Sequence, residues 1–277
     1  MTRSRSITRL LQHRYGRPPR RITPEWRPDQ RNAVDVTVES VSGHVLRGWF
    51  LPGDVAAPGG PAALVMHGWG GSAQEMAPLA GPLRASGFHV LLLDARCHGR
   101  SDDDDATSMP AIADDISIGL QWLRERLDVD RSRIALIGHS VGAGACLLVA
   151  SRDQEVAAVV SIASMAHPAT FMETMLQRRL PRPLAKLALR FVERAVGQPF
   201  ESFAPVNTIG RVRVPVLLVH GDQDRTVPVE DAHTLSFQTG CRAQLLVIPG
   251  ADHASIGMLD DVGPKLAEFL RGAVSFS

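Results

Sequence analysis

Six short, nearly continuous apolar runs dominate the chain: AALVMHG (62–68), HVLLLDA (89–95), RIALIGHS (133–140), VAAVVSIAS (156–164), VPVLLVHG (214–221) and AQLLVIPG (243–250). Strands buried on both faces read this way, because neither side needs polar residues, and they belong to a parallel sheet covered by helices. Ahead of them the pattern differs. AVDVTVES (33–40) alternates apolar and polar positions, Ser42-Gly43 supplies a turn, and HVLRGWFLP (44–52) alternates back, which predicts a hairpin. Helical spacing falls between the runs, at roughly 74–86, 110–127, 141–152, 229–239 and 255–272. In the second of these, Ile112, Ile116, Leu120, Leu123 and Leu127 recur at three and four residues, so one stripe is expected to face the sheet. The pattern predicts an α/β fold: a doubly wound, mostly parallel eight-stranded sheet, an N-terminal antiparallel hairpin at one edge and helices on both faces.

One interval breaks the rhythm. About 50 residues separate the run ending near Ser164 from the one starting near Val214, too many for a simple crossover. Within this insertion, 165–213, PLAKLALRFVERAVG (183–197) predicts a helix with Leu184, Leu187, Phe191, Val192 and Val196 on one face. An insertion at the strand ends sits above the sheet, where open α/β folds bind ligands, so a lid is expected.

Composition adds bounds. The 277 residues, 44% of them hydrophobic, suffice for one domain with a large core, and no run approaches the roughly 18 apolar residues of a membrane-spanning helix. The net charge of +1 hides an asymmetry. Residues 1–31 hold nine arginines (Arg3, Arg5, Arg9, Arg14, Arg17, Arg20, Arg21, Arg27 and Arg31) against Glu25 and Asp29, a balance of +7 that leaves −6 for the rest. This stretch reads as a basic arm ahead of a domain over 32–277. It lacks the apolar segment of a secretory signal, though its arginines and serines suit a transit peptide. The arm is expected to lie packed or frayed on the surface, with weak attraction to an anionic membrane or partner as the other reading. Its aromatics are too sparse for a nucleic-acid binder, and no nucleic acid is expected as partner. Cys97, Cys146 and Cys241 are far apart, without the spacing of a disulfide framework or zinc site, which favours a reducing cytoplasm. Asp102–Asp105 has no second acidic cluster at ligand spacing, so it reads as a solvated loop rather than a cation site. Neither metal nor cofactor is expected.

The candidate chemistry starts at Gly138-His139-Ser140-Val141-Gly142, which follows a buried run and precedes a helical one. A tight strand-to-helix turn needs small flanking residues, and it lifts the serine hydroxyl above the sheet with the next N–H pointing at the same spot. The plainer alternative is a serine that caps the following helix. A nucleophilic serine needs a general base oriented by a carboxylate. His253, in PGADHAS after the last run, falls at the same sheet edge; His13, His44, His89 and His233 do not. His139 adjoins the serine, and His167 opens the insertion. For the acid, Asp224 in VHGDQDRTVP (219–228) is preferred to Asp222, which reads as a carboxylate bonding its own turn. The loop MHGWGGSA (66–73) is glycine-rich, so its backbone is able to approach a bound carbonyl. Trp69 N–H and Val141 N–H are the candidate oxyanion donors, and His67, Gly68, Gly70, His139 and His167 the candidate substrate contacts.

These segments resemble the α/β-hydrolase superfamily over about 33–272: HGWGG, LDARCHGRSD (93–102), GHSVG, HGDQDRTVP and GADH, in the order oxyanion loop, Ser, Asp, His. The opening strands and PVNTIGRVRVPVLLVHG are similar to the esterase branch related to the prolyl-oligopeptidase catalytic domain. The resemblance implies a cofactor-free serine hydrolase acting on a small-molecule carboxylic ester. Peptidase, thioesterase or acyltransferase activity is the alternative, and a non-catalytic binding module a further one. A serine in place of an aspartate nucleophile disfavours dehalogenase chemistry. One departure stands out: relatives place glycine where Cys97 stands, so a positive φ there would strain this chain. Arg96 and His98 are expected to hold that loop together.

Overall fold

The computed structural model describes residues 16–21, 27–28, 32–40, 43–54, 59–239, 243–255 and 259–275. All eight expected strands form: β1 (Val34–Glu39), β2 (Val45–Leu51), β3 (Gly60–Met66), β4 (His89–Asp94), β5 (Val129–His139), β6 (Val156–Ile162), β7 (Val216–Gly221) and β8 (Ala243–Ile248). They make one sheet in the order β1-β2-β4-β3-β5-β6-β7-β8. β1 pairs with β2, and β2 with β4, antiparallel; every other pairing is parallel. Ser42 of the hairpin turn lies outside the described residues, while Gly43 takes the left-handed φ of 82°.

The continuous apolar runs are explained by two cores. Leu64 and Met66 of β3 and Leu91 and Leu93 of β4 point into one; Ala63, Val65, Val90 and Leu92 point into the other. Side chains alternate along a strand, so a strand covered on both faces is apolar at every position. α2 (Met109–Arg124), α3 (Val141–Ala150) and α7 (Val229–Gln238) cover the first face; α1 (Ala80–Ala85) and α8 (Leu259–Val274) cover the second.

The helical expectations need three corrections. Over 74–86 only α1 is α-helical, preceded by a 3-10 turn at Ala77–Leu79; Pro78 and Pro82 lack the N–H that a longer helix would use. α2 ends at Arg124, so Leu127 falls beyond it and is 98% exposed rather than on the apolar stripe. The start expected for the last helix, 255, is too early: α8 begins at Leu259, and 256–258 are outside the described residues. The insertion carries α4 (Pro168–Gln177), α5 (Arg182–Val196) and the short α6 (Pro205–Thr208). α5 packs with Ala185, Leu189, Val192 and Val196, so part of the expected apolar face meets the core, while Leu184 and Leu187 are exposed. Among the described residues, no helix is long and apolar enough to cross a membrane.

Arg3, Arg5, Arg9 and Arg14 lie outside the described residues, but Gly16–Arg21 is packed against the body. Gly16 O accepts from Thr107 N–H at 2.7 Å, and Arg17 Nε donates to Asp105 O at 3.4 Å. Arg20 Nη1 donates to Gly99 O and Ser101 O, both at 2.8 Å, while Nη2 pairs with Asp103. Pro19 covers Gly70: a Cβ there would stand 3.1 Å from Pro19 Cγ. The Asp103 pair is exposed and so contributes little, about 0–1 kcal/mol; the two carbonyl bonds and the proline contact hold the segment. Replacing Arg20 with alanine is expected to speed hydrogen exchange at the Thr107 amide by about tenfold. An unchanged rate in exchange mass spectrometry would show that Arg20 does not hold it.

Candidate active site

Ser140 lies between the last residue of β5 and the first of α3, with φ 55° and ψ −119°. Such a backbone costs a non-glycine residue about 1–3 kcal/mol, so its surroundings must impose it. They do so at two glycines. A Cβ on Gly138 would stand 2.4 Å from Gly142 O, and one on Gly142 would stand 2.3 Å from His67 O. Ser140 N–H donates to Ile162 O of the neighbouring strand at 2.8 Å. Although Ser140 occupies the cap position of α3, its side chain accepts no hydrogen bond from the helix. Its hydroxyl instead donates to His253 Nε2 at 3.0 Å.

His253 completes the chain of hydrogen bonds: Nδ1–H donates to Asp224 Oδ2 at 2.7 Å. The other oxygen of Asp224 accepts from the N–H groups of Thr226 and Val227, both at 2.8 Å. Burial works against the Asp224 charge, but hydrogen bonds from His220, His253 and Val227 outweigh it and hold the carboxyl well below the usual carboxylate range. Asp222 takes another part. It is exposed and accepts from Gly250 N–H at 2.7 Å, tying the loop after β7 to the loop that carries His253.

The glycine-rich loop closes against the serine, since a Cβ on Gly68 would stand 3.2 Å from Ser140 Cβ. Trp69 follows, half exposed, its ring edge-on to His98 at 5.8 Å. Val141, as the first residue of α3, has an N–H with no acceptor inside the helix.

Four of the expected substrate contacts are engaged elsewhere. His67 is buried; Nδ1–H donates to Gly68 O at 2.8 Å, and Nε2 accepts from Ala95 N–H at 3.1 Å. His139 Nε2–H donates to His253 O at 3.0 Å, and its ring lies 5.0 Å from the His253 ring. It supports the His253 loop from behind. His167 caps α4, accepting from Ala169 N–H at 3.2 Å, and its Nε2 meets Glu201 at 3.1 Å. Gly70, at φ 72°, lies beneath Pro19. Of the two glycines, Gly68 is the one that borders Ser140.

The loop after β4 is held by acids the motif reading passed over. Asp94 Oδ1 accepts from Ala73 N–H at 2.7 Å and Oδ2 from Arg100 N–H at 2.9 Å, joining the glycine-rich loop to 95–101. Asp115 accepts from Arg96 N–H at 2.8 Å and from its guanidinium at 2.7 Å. Its place three residues after Ile112, on the apolar stripe of α2, was the available signal. His220 was the third omission: wholly buried, it donates to Val227 O at 2.9 Å and lies 3.4 Å from Asp224 Oδ2. Cys97 does sit at φ 63°, the strained geometry foreseen for it, with its Sγ accepting from Asp104 N–H at 3.2 Å. The acidic run is paired rather than merely solvated: Asp102 with Arg47, Asp103 with Arg20, and Asp104 with Arg96.

Comparison with known proteins places the fold. The family model described as the alpha/beta hydrolase fold matches residues 61–202. An uncharacterized protein of Mycobacterium tuberculosis, Rv2307c, is 30% identical over 227 residues, covering 82% of this chain and 74% of its own. YfhR of Escherichia coli, also uncharacterized, is 28% identical over 231 residues, 82% of this chain and 75% of its own. Among solved structures, the Pyrococcus furiosus esterase Pf2001 superposes with a TM-score of 0.74 at 23% identity, covering 93% of this chain and 98% of that one.

The histidines around the site make stability sensitive to acid. Burial pushes His67 and His139 down to about 4, and burial with the neighbouring His67 pushes His98 to about 3. Unfolded, each would take up a proton near pH 6.5, so their stability is full above that pH and falls as pH drops toward the folded values. Each imidazole is expected to cost about 1.4 kcal/mol per pH unit over that window. Urea unfolding at pH 7.5 and 5.5 checks this, and equal stabilities at the two would contradict it.

Proposed function

The chain belongs to the α/β-hydrolase family, and from that footing we propose that it is a serine hydrolase cleaving small carboxylic esters through an acyl-enzyme on Ser140. The observation that carries the reading is the unbroken line from Ser140 Oγ to His253 Nε2 and from His253 Nδ1 to Asp224, at 3.0 and 2.7 Å. A serine held at φ 55° and bonded to a histidine rather than to its own helix is arranged for attack, not for capping. That separates the proposal from a non-catalytic module on the same fold.

In the proposed reaction, Ser140 Oγ attacks the ester carbonyl while His253 Nε2 takes its proton. Asp224 stays ionised, keeps the Nδ1–H tautomer in place and stabilises the imidazolium. The tetrahedral oxyanion is received by the N–H groups of Trp69 and Val141, at the positive end of α3. His253 then gives its proton to the departing alcohol, and a water, deprotonated by the same imidazole, attacks the acyl-enzyme. A neutral His139 suits this scheme, because a positive charge beside His253 would oppose its protonation. Ester is preferred to peptide because an alcohol leaves more readily than an amine, and the esterase Pf2001 shares the fold. The three widely spaced cysteines support a reducing cytoplasm as its setting.

A fluorophosphonate probe is expected to label Ser140, and Ser140→Ala to abolish labelling; an adduct that persists would remove Ser140 as nucleophile. Against p-nitrophenyl esters of rising chain length, Asp224→Asn is expected to lower kcat by about 10⁴-fold, and Asp222→Asn by no more than about tenfold. The reverse order would exchange the two acids. Labelling without turnover of any ester would shift the reading to thioester or peptide substrates.

A further inference from the structure

The helical pair of the insertion presents a surface that the body leaves uncovered. In α5 only Ala185 is fully buried, and Leu184 and Leu187 are 51% and 48% exposed. At 100° per residue, Leu184, Leu187 and Phe191 form one flank of the helix, while Lys186, Arg190 and Arg194 form the next. The core contact is made by a different sector, through Leu189, Val192 and Val196. The apolar arc is thus wider than its packing requires. Over 168–197, Arg178, Arg179, Arg182, Lys186, Arg190 and Arg194 stand against Glu173 and Glu193, a balance of +4 on a body that is otherwise acidic. Arg182 reaches Glu173 at 3.7 Å, and Arg194 lies over the Phe191 ring at 5.7 Å.

We propose that this face of α4 and α5 docks on an anionic lipid surface, with Leu184 and Leu187 entering the headgroup region and the arginines and Lys186 lying against lipid phosphates. Charge decides between the possible occupants. A second copy would bring +4 against +4, which repels. A folded acidic protein would need hydrogen-bonding groups at fixed positions, whereas long cationic side chains spread around two leucines match a fluid anionic layer. The insertion follows β6, whose last residue accepts the Ser140 N–H, so docking by this face sets the serine's end of the sheet toward the lipid. That orientation deepens the proposed ester hydrolysis, on which it rests for the substrate: an ester partitioned into the bilayer would be met at its source. The docking itself requires no turnover.

The test is cosedimentation with phosphatidylcholine vesicles, with and without phosphatidylglycerol. The full chain is expected to bind the anionic vesicles and to be released by salt. Leu184→Ser with Leu187→Ser, and separately Lys186→Glu with Arg190→Glu, are each expected to lower the partition coefficient roughly tenfold. These positions are exposed, so the variants should keep the wild-type Tm and fluorophosphonate labelling. A variant with Arg3, Arg5, Arg9 and Arg14 changed to glutamine should retain most of the binding. No binding by the wild type, equal binding by the helix variants, or binding lost only with the N-terminal arginines would overturn the proposal. Leu187→Trp supplies a second measurement: its emission should shift to the blue on anionic vesicles, and an unshifted spectrum counts against insertion. Loss of ester turnover with vesicle binding intact would sink the proposed chemistry alone.

Discussion

The left-handed turn at Ser140 is the constraint around which the rest of the molecule is organised. A serine there is held off its preferred backbone by contacts on three sides: Ile162 O on its own N–H, the carbonyl of Gly142 against Gly138, and the carbonyl of His67 against Gly142. Each is a close approach between backbones, which is why side chains are missing at those two positions. The glycine-rich loop is therefore not simply near the serine; its backbone is one of the walls that keep the turn strained. The hydroxyl is left with one good partner, His253, and the direction of that bond follows from the turn rather than from any attraction between the side chains.

Around the histidine the site is built from further imidazoles. His139 holds the His253 carbonyl, His67 holds Gly68, and His220 flanks Asp224. A lysine or arginine at any of these places would raise the local potential and resist a proton arriving on His253. An aliphatic side chain would leave buried carbonyls without donors. Imidazole supplies a donor without a lasting charge. Arginines are used instead one layer out, where Arg96, Arg47 and Arg20 draw the acidic run 102–104 and the loop after β4 into place. The fixed positive charges stand in this outer layer.

The strand count, the antiparallel hairpin, the insertion and the placing of Ser140, Asp224 and His253 at one sheet edge were legible in the sequence. Each depends on local patterning: a run buried on both faces, or a motif at the end of one. What was not legible depends on contacts between distant segments. Nothing in the sequence near His67, His139 or His167 says that their ring nitrogens are taken by backbone groups and by Glu201. Asp94 and Asp115 looked like ordinary ends and faces of elements, although an acid on the buried stripe of α2 was a clue. The part of α5 that meets the core was not legible either, because its apolar arc is broad and periodicity alone does not divide it.

The packing of Pro19 on Gly70 also bears on where the folding unit begins. Among the described residues the first strand or helix is β1, at Val34, and a clone trimmed to start there would seem to keep the whole sheet. It would nevertheless lose the cover of the glycine-rich loop and the two hydrogen bonds from Arg20 to Gly99 O and Ser101 O. The useful boundary for expression therefore lies before Gly16.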